Sequence, residues 1–184
     1  MTMEHIMLDL ETFGTAPGCA MRSIGAVAFD PHSDGCGQEF YANIEKQSCV
    51  DVGLHIDPKT ERWWAEQSVA AQKALEEDQV PLAEAVSGFN KWFRAAGGVY
   101  VWSQGANFDV VLIEAAMKAV KAFVPWKFWN ARDTRTVYHM FGFDDKSLPR
   151  EGVHHNALND AKHQAACVQT AMRRRPIMPD GLVA

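Results

Sequence analysis

Three short apolar runs open the chain, His5 to Leu10, Ser23 to Phe29 and Gln38 to Ile44. Each has β-type composition and is separated from the next by turns carrying glycine or proline. Runs of this length predict a three-stranded meander. From Pro58 the hydrophobic period changes: Trp63, Trp64, Val69 and Leu75, then Leu82, Val86, Phe89, Trp92 and Phe93, recur at helical spacing. Two helices are predicted there, the second stopped by Gly97-Gly98. Val99 to Trp102 then reads as a short strand and Asp109 to Val120 as a helix with Val111, Leu112 and Ala115 on one face. Phe128 to Ala131 reads as a last strand, and His155 to Arg174 as a long helix that turns Ala157, Leu158, Ala161, Ala165, Val168 and Met172 inward. Strands first, then helices mixed with single strands, imply a sheet of mixed direction covered by helices. The expected fold class is α/β, a mixed five-stranded sheet with helices on both faces.

A chain of 184 residues matches one ordinary domain, large enough to bury roughly 70% of the surface its unfolded form exposes. The domain is expected over residues 1–175, and 176–184, with two prolines and a glycine, as a tail. A hydrophobic share of 47% against a charged share of 22% places the chain among globular rather than disordered proteins. No apolar run approaches the roughly 18 residues of a membrane span, and the N-terminus lacks the basic and apolar regions of a signal peptide. A cytoplasmic location, with no membrane partner, is expected. Cys19, Cys36, Cys49 and Cys167 form no C-x-x-C pair, which argues against structural zinc and a disulfide framework.

Asp9-Leu10-Glu11 ends the first apolar run, where the two-residue period of a strand puts both carboxylates on one side and Leu10 on the other. With 23 acidic residues in the chain, roughly three acid-x-acid triplets arise by chance, so the triplet alone is weak. Its placement is stronger, because a strand with apolar neighbours does not bury two unpaired carboxylates unless a cation balances them. Asp109 opens a helix after Gly105-Ala106-Asn107-Phe108, where the macrodipole alone would favour an acid by about 0.3–1 kcal/mol. Asp160 falls beside Ala157 and Ala161 on an otherwise apolar helix face. His155 lies five residues earlier, roughly 7.5 Å along a helix axis, so the two side chains are not stacked but could edge one cavity.

Four carboxylates from three elements, with a histidine, are the components of a two-metal phosphodiesterase. Attack on a phosphodiester builds negative charge on the entering and leaving oxygens, and two cations roughly 3.5–4 Å apart stabilise both. Magnesium and manganese suit such oxygen ligands. The net charge of -5 opposes binding of nucleic acid by bulk electrostatics, but two divalent ions on those acids would bring it to -5 + 4 = -1. Contact with nucleic acid must then be local or metal-mediated.

Three motifs carry a family resemblance: Asp9-Leu10-Glu11-Thr12, Asn107-Phe108-Asp109, and His155-Asn156-Ala157-Leu158-Asn159-Asp160-Ala161. In order and spacing the chain resembles, over about residues 5 to 172, the DEDDh branch of the ribonuclease H-like proofreading exonuclease superfamily. Trp63-Trp64, the Trp102-to-Asp109 segment and Arg132-Asp133-Thr134-Arg135-Thr136 are similar to a smaller bacterial and phage subgroup that is 3′-to-5′ exoribonuclease-like. The resemblance implies a ribonuclease H-like fold and a 3′-to-5′ exonuclease that releases 5′-mononucleotides. The substrate would be single-stranded or 3′-overhang RNA or DNA with a free 3′ end. It further implies that Asp9, Glu11 and Asp160 hold the catalytic metal, that Asp9 bridges to a second ion, and that Asp109 supports the second through water. Two Mg2+ or Mn2+ ions are the cofactors so implied.

By the same resemblance His155 is the general base, a role an ordinary imidazole pKa of about 6.5 suits at neutral pH. His154 is a rival whose six-residue distance from Asp160 does not fit the motif. Thr12 and Phe13 are implied contacts to the terminal nucleotide, with Asn107 and Phe108 as further candidates; Phe13 could equally close the core beneath its turn. Adjacent helical residues point roughly 100° apart, so at most one of Trp63 and Trp64 would meet a base. Arg132 and Arg135 flank Asp133, which leaves phosphate contact and a structural ion-pair cluster both open. Arg173 to Arg175 read as cations at a helix C-terminus. A Trp-rich helix between the first two motifs departs from common proofreading domains and leaves the substrate class open. Competing readings are a phosphohydrolase of nucleotides or very short oligonucleotides and a catalytically idle interaction module; a homodimer is compatible with the sequence.

Overall fold

The structure, a computed structural model, describes residues 3–150, 152 and 155–176. Strands β1 (His5–Thr12), β2 (Met21–Phe29) and β3 (Cys36–Asn43) form the expected antiparallel meander. Four helices follow, α1 (Lys46–Asp51), α2 (Pro58–Ala65), α3 (Val69–Ala74) and α4 (Leu82–Ala95). Strand β4 (Tyr100–Ser103) then returns parallel to β1 and leads into α5 (Asp109–Ala119). Strand β5 (Ala131–Asp133) lies parallel to β4, and α6 (Thr134–Phe141) and α7 (Ala157–Met172) complete the order. The sheet runs β3-β2-β1-β4-β5, a mixed five-stranded sheet as the pattern of runs predicts.

Alternation along β1 divides the apolar interior in two. Ile6, Leu8 and Leu10 face one core, where Phe89 and Phe93 of α4 and Ile113 of α5 have no exposed surface. Met7 faces the other, with Phe29, Tyr138 of α6 and Ala161, Ala165 and Val168 of α7. Each fully buried large apolar side chain contributes roughly 1.5–3 kcal/mol, so both helical layers are anchored to the central strand. Asp9 and Glu11 continue the Met7 face, the one that α7 covers.

Several elements differ from expectation. The helix expected to join Trp63 to Leu75 is broken, because the Ser68 hydroxyl caps a new helix by accepting from the Ala71 amide (3.2 Å). The restart resets the helical phase and leaves Val69 81% exposed. The last strand is shifted: Phe128–Asn130 form a 3-10 turn with Phe128 84% exposed, and the residues that meet Val101–Ser103 are Ala131–Asp133. Aromatic residues favour strands only where a pleated, half-buried surface receives them. Helices α1 and α6, of six and eight residues, are too short for a periodicity to stand out. Helix α7 starts at Ala157 rather than His155, because the Asn156 side chain caps it by accepting from the Asn159 amide (3.1 Å). His154 and most of the expected tail lie outside the described residues. Among the described residues no helix is long and apolar enough to cross a membrane.

Candidate active site

Three carboxylates converge where the C-terminal half of β1 meets the first turn of α7. Ligand oxygens of Asp9, Glu11 and Asp160 all lie within 4.8 Å of one another. Period-two alternation delivers the first two, and a glycine permits the third. Gly25 of β2 pairs with Asp9, and a Cβ built on it would stand 2.1 Å from the Ala157 carbonyl carbon and 2.2 Å from the Leu158 amide nitrogen. Only a residue without a side chain lets the start of α7 settle this low on the sheet, which brings Asp160 to the strand acids. Gln164, one turn beyond Asp160, donates its side-chain amide to Asp9 Oδ1 at 2.7 Å and holds that carboxylate in place.

Asp109 follows the strand on the other side of β1. Strand β4 ends at Ser103, the chain turns through Gly105 at φ +111°, and Asp109 opens α5 with 4% of its surface exposed. It shares a cavity of about 300 Å³ with Asp9, Glu11, Asp160 and His155, but stands outside the close trio. His155 precedes the α7 cap in the left-handed region, φ +59°, so it is not a helical residue one and a half turns from Asp160. Its ring meets Trp63 edge-on at 5.0 Å between centroids and Trp64 at 5.9 Å. The tryptophan-bearing helix α2 is thus the wall against which the histidine sits.

Burial, and after it the charges of neighbouring acids, raises the proton affinity of Asp9 and Glu11. Burial pushes the Glu11 carboxyl up to about 8, assisted by the charges of Asp160 and Asp109 and opposed by Arg22. Burial likewise raises Asp109 to about 7, against the pull of the Asp109 and Leu10 amides and the charge of Arg135. Asp9 is held well above the carboxylate range by burial and then by Asp109, Glu11 and Asp160, with the Gln164 hydrogen bond acting the other way. A cluster in this condition is short of positive charge. Part of the need is met by Arg150, whose guanidinium pairs with Asp160 across the cavity.

The other expected contacts divide. Phe108 is half-buried and lines both the acid cavity and an adjoining groove of about 470 Å³. That groove is also lined by Thr12 and Trp63, and Trp63 is 42% exposed. Trp64 is buried and donates its indole N–H to the Thr12 carbonyl (2.8 Å), tying α2 to the end of β1. Phe13 closes the core beneath the turn, its ring under the guanidinium of Arg22 at 5.0 Å, and lines neither the acid cavity nor the groove. Asn107 is exposed and is likewise absent from both linings. Sequence reasoning missed Gln164 and Arg150. The first had a signal, since four residues after Asp160 is the same helix face. The second had none. A larger cavity, about 540 Å³ against Leu148, Pro149 and His163, contains none of the four acids, so size alone does not find the site.

The model of the 3′-5′ exoribonuclease Rv2179c-like domain family matches residues 4–172, a span that takes in all four acids and His155. The chain belongs to this family. It is also 23% identical over 164 residues to the exodeoxyribonuclease of Enterobacteria phage T4, a match covering 73% of this chain and 70% of the phage protein. Among solved structures the Rv2179c-like chain is similar to E. coli exonuclease I in complex with a dT13 oligonucleotide, with a TM-score of 0.68 at 12% identity. That match covers 92% of this chain and 41% of the other, so the chain spans about two-fifths of the exonuclease I length. It is similar too to exonuclease X in complex with 5′ overhanging duplex DNA, TM-score 0.58 at 15% identity, over 92% of this chain and 91% of that one. These likenesses establish the ribonuclease H-like exonuclease fold.

Proposed function

We propose that this Rv2179c-like domain removes nucleotides one at a time from the 3′ end of single-stranded or overhanging RNA or DNA, releasing 5′-mononucleotides. The observation that carries the reading is the trio of carboxylates within 4.8 Å, with Asp109 in the same cavity and the proton affinities of Asp9, Glu11 and Asp109 raised by burial. An all-oxygen donor set with unmet negative charge fits two Mg2+ or Mn2+ ions, which Asp9, Glu11 and Asp160 would hold with Asp109 in support. Such ions supply stabilisation of the charge that develops on the entering and leaving oxygens.

The protein's own groups do the rest. Gln164 fixes the Asp9 carboxylate in the orientation needed for binding. His155, braced by Trp63 and Trp64 at the cavity wall, takes the proton of the attacking water as general base. The acid cavity continues into the Phe108–Trp63 groove through the shared Leu10, Glu11 and Phe108, which leaves room for a nucleoside beyond the phosphate being cut. That continuity supports a strand end over an isolated small phosphate as substrate.

Digestion of matched, end-labelled single-stranded RNA, single-stranded DNA and 3′-overhang duplexes in magnesium or manganese tests the reading. The expected result is stepwise shortening from the 3′ end with 5′-mononucleotide products, and none from a strand whose 3′ hydroxyl is blocked. Efficient cutting of a circular single strand would overturn it.

A further inference from the structure

The acid cavity contains two arginines as well as four carboxylates, and they stand in different conditions. With Asp9, Glu11, Asp109 and Asp160 ionised against Arg135 and Arg150, its formal charge is -4 + 2 = -2. Two divalent cations would reverse that to -2 + 4 = +2, a charge that attracts a phosphate. In a protein of net charge -5, such a local reversal has to replace the basic face on which nucleic-acid binding normally relies.

Arg150 already has a carboxylate partner in Asp160. Arg132 turns away, donating to the carbonyls of Trp129 (2.8 Å) and Ala131 (2.9 Å) and lying over the Tyr100 ring at 4.7 Å. The Arg135 side chain makes no hydrogen bond or ion pair with any described residue, and its charge reaches Asp109 only through space. It is the second residue of α6, in the first turn, where the helix macrodipole disfavours a cation by roughly 0.3–1 kcal/mol.

The backbone around it is arranged to keep it there. Asp133 accepts from the Ala106 amide with one oxygen (3.0 Å) and from the Thr136 amide with the other (3.1 Å), joining the start of α6 to the loop that leads to Asp109. At Gly105 a Cβ would stand 2.7 Å from Arg135 Nη1, so the glycine leaves the space that the guanidinium crosses on its way to the cavity.

We propose that Arg135 is a substrate-contacting residue that receives the non-bridging oxygens of the scissile phosphate. The proposal rests on the exonuclease reading above. A planar guanidinium offers two parallel N–H donors to a phosphate, which suits it to this contact better than a lysine.

Direct binding measurements on the full chain in saturating manganese test it, with adenosine and thymidine 5′-monophosphates and the corresponding nucleosides as probes. Calorimetric titration of manganese alone runs in parallel. Arg135→Ala should lose about 10- to 100-fold in monophosphate affinity, the worth of a charge-assisted hydrogen bond. Nucleoside affinity should stay within about twofold, and manganese affinity should not fall, because the variant only removes a cation from beside Asp109. Arg135→Lys should fall between. Monophosphate affinity unchanged in Arg135→Ala, or lost in step with manganese affinity, would overturn the proposal; the latter would make Arg135 a support for Asp109 instead. A wild-type protein that degrades no end-labelled strand, yet loses monophosphate affinity on Arg135→Ala, would sink the exonuclease reading and retain the phosphate contact.

Discussion

Replacing Glu11 by glutamine should stabilise the metal-free protein, and by an amount that grows with pH. In the native state the Glu11 carboxyl is raised from 4.5 to about 8, chiefly by burial and then by Asp160 and Asp109. Between those values the native protein keeps a proton that the unfolded chain has already released, so native binds more protons than unfolded and stability falls as pH rises. Below about 4.5 both states are protonated and the penalty is absent; above about 8 it is fully developed. A shift of about 3.5 units at ~1.4 kcal/mol per unit sets an upper figure of ~5 kcal/mol. In a chain of this size that is about 10–20 °C in melting temperature. Glutamine fills the same space and cannot ionise. Melting followed by circular dichroism in excess chelator should therefore show wild type and Glu11→Gln close together at pH 5 and separating towards pH 8.5, with the variant the more stable. A residual slope from Asp109, which is raised to about 7, should remain in the variant. Saturating magnesium should remove most of the wild-type slope, because an ion bound at the proposed site would neutralise the same carboxylates, and add roughly 2.7 kcal/mol per site at 100 times the dissociation constant. A wild-type to variant difference that stays constant from pH 5 to pH 8.5 would refute the reasoning.

Nuclease activity should vanish in chelator and return with magnesium or manganese, with zinc alone a poor substitute; undiminished cleavage in excess chelator would exclude the two-metal chemistry. His155→Ala should keep metal affinity while cutting turnover by about 10² to 10⁴, and raising the pH should partly restore it. Asp9→Ala should lose metal affinity as well as rate and show no such recovery, and calorimetry beside kinetics distinguishes the two. Gly25→Ala should destabilise the protein by about 1–3 kcal/mol or more in urea unfolding and weaken metal binding, because the new Cβ meets the α7 backbone 2.1 Å away and pushes Asp160 off the strand acids. Arg150→Gln should tighten metal binding in titration calorimetry, since the guanidinium paired with Asp160 competes with the cation; weaker binding would show that Arg150 helps to assemble the site.

Local periodicity was enough to read the meander, the helix carrying Asp109 and the helix carrying Asp160, because an alternating strand face or an amphipathic helix face is written within a dozen residues. The same rule placed Asp9 and Glu11 on one face and left at most one of Trp63 and Trp64 as a candidate to meet a base. It could not say which tryptophan would be buried, because that depended on the Thr12 carbonyl, 52 residues from Trp64, being in reach of its indole. It could not separate Arg132 from Arg135 either. The Tyr100 ring and the Gly105 space that divide them belong to β4 and the loop after it. Short elements with little buried surface, such as α1 and the shifted β5, left no pattern strong enough to read. The three-way approach of Asp9, Glu11 and Asp160 was decided by tertiary packing alone. It requires α7 to lie across β2 at Gly25 and Gln164 to reach Asp9 across 155 residues of chain, and side-chain periodicity carries no information about how closely two such distant segments pack.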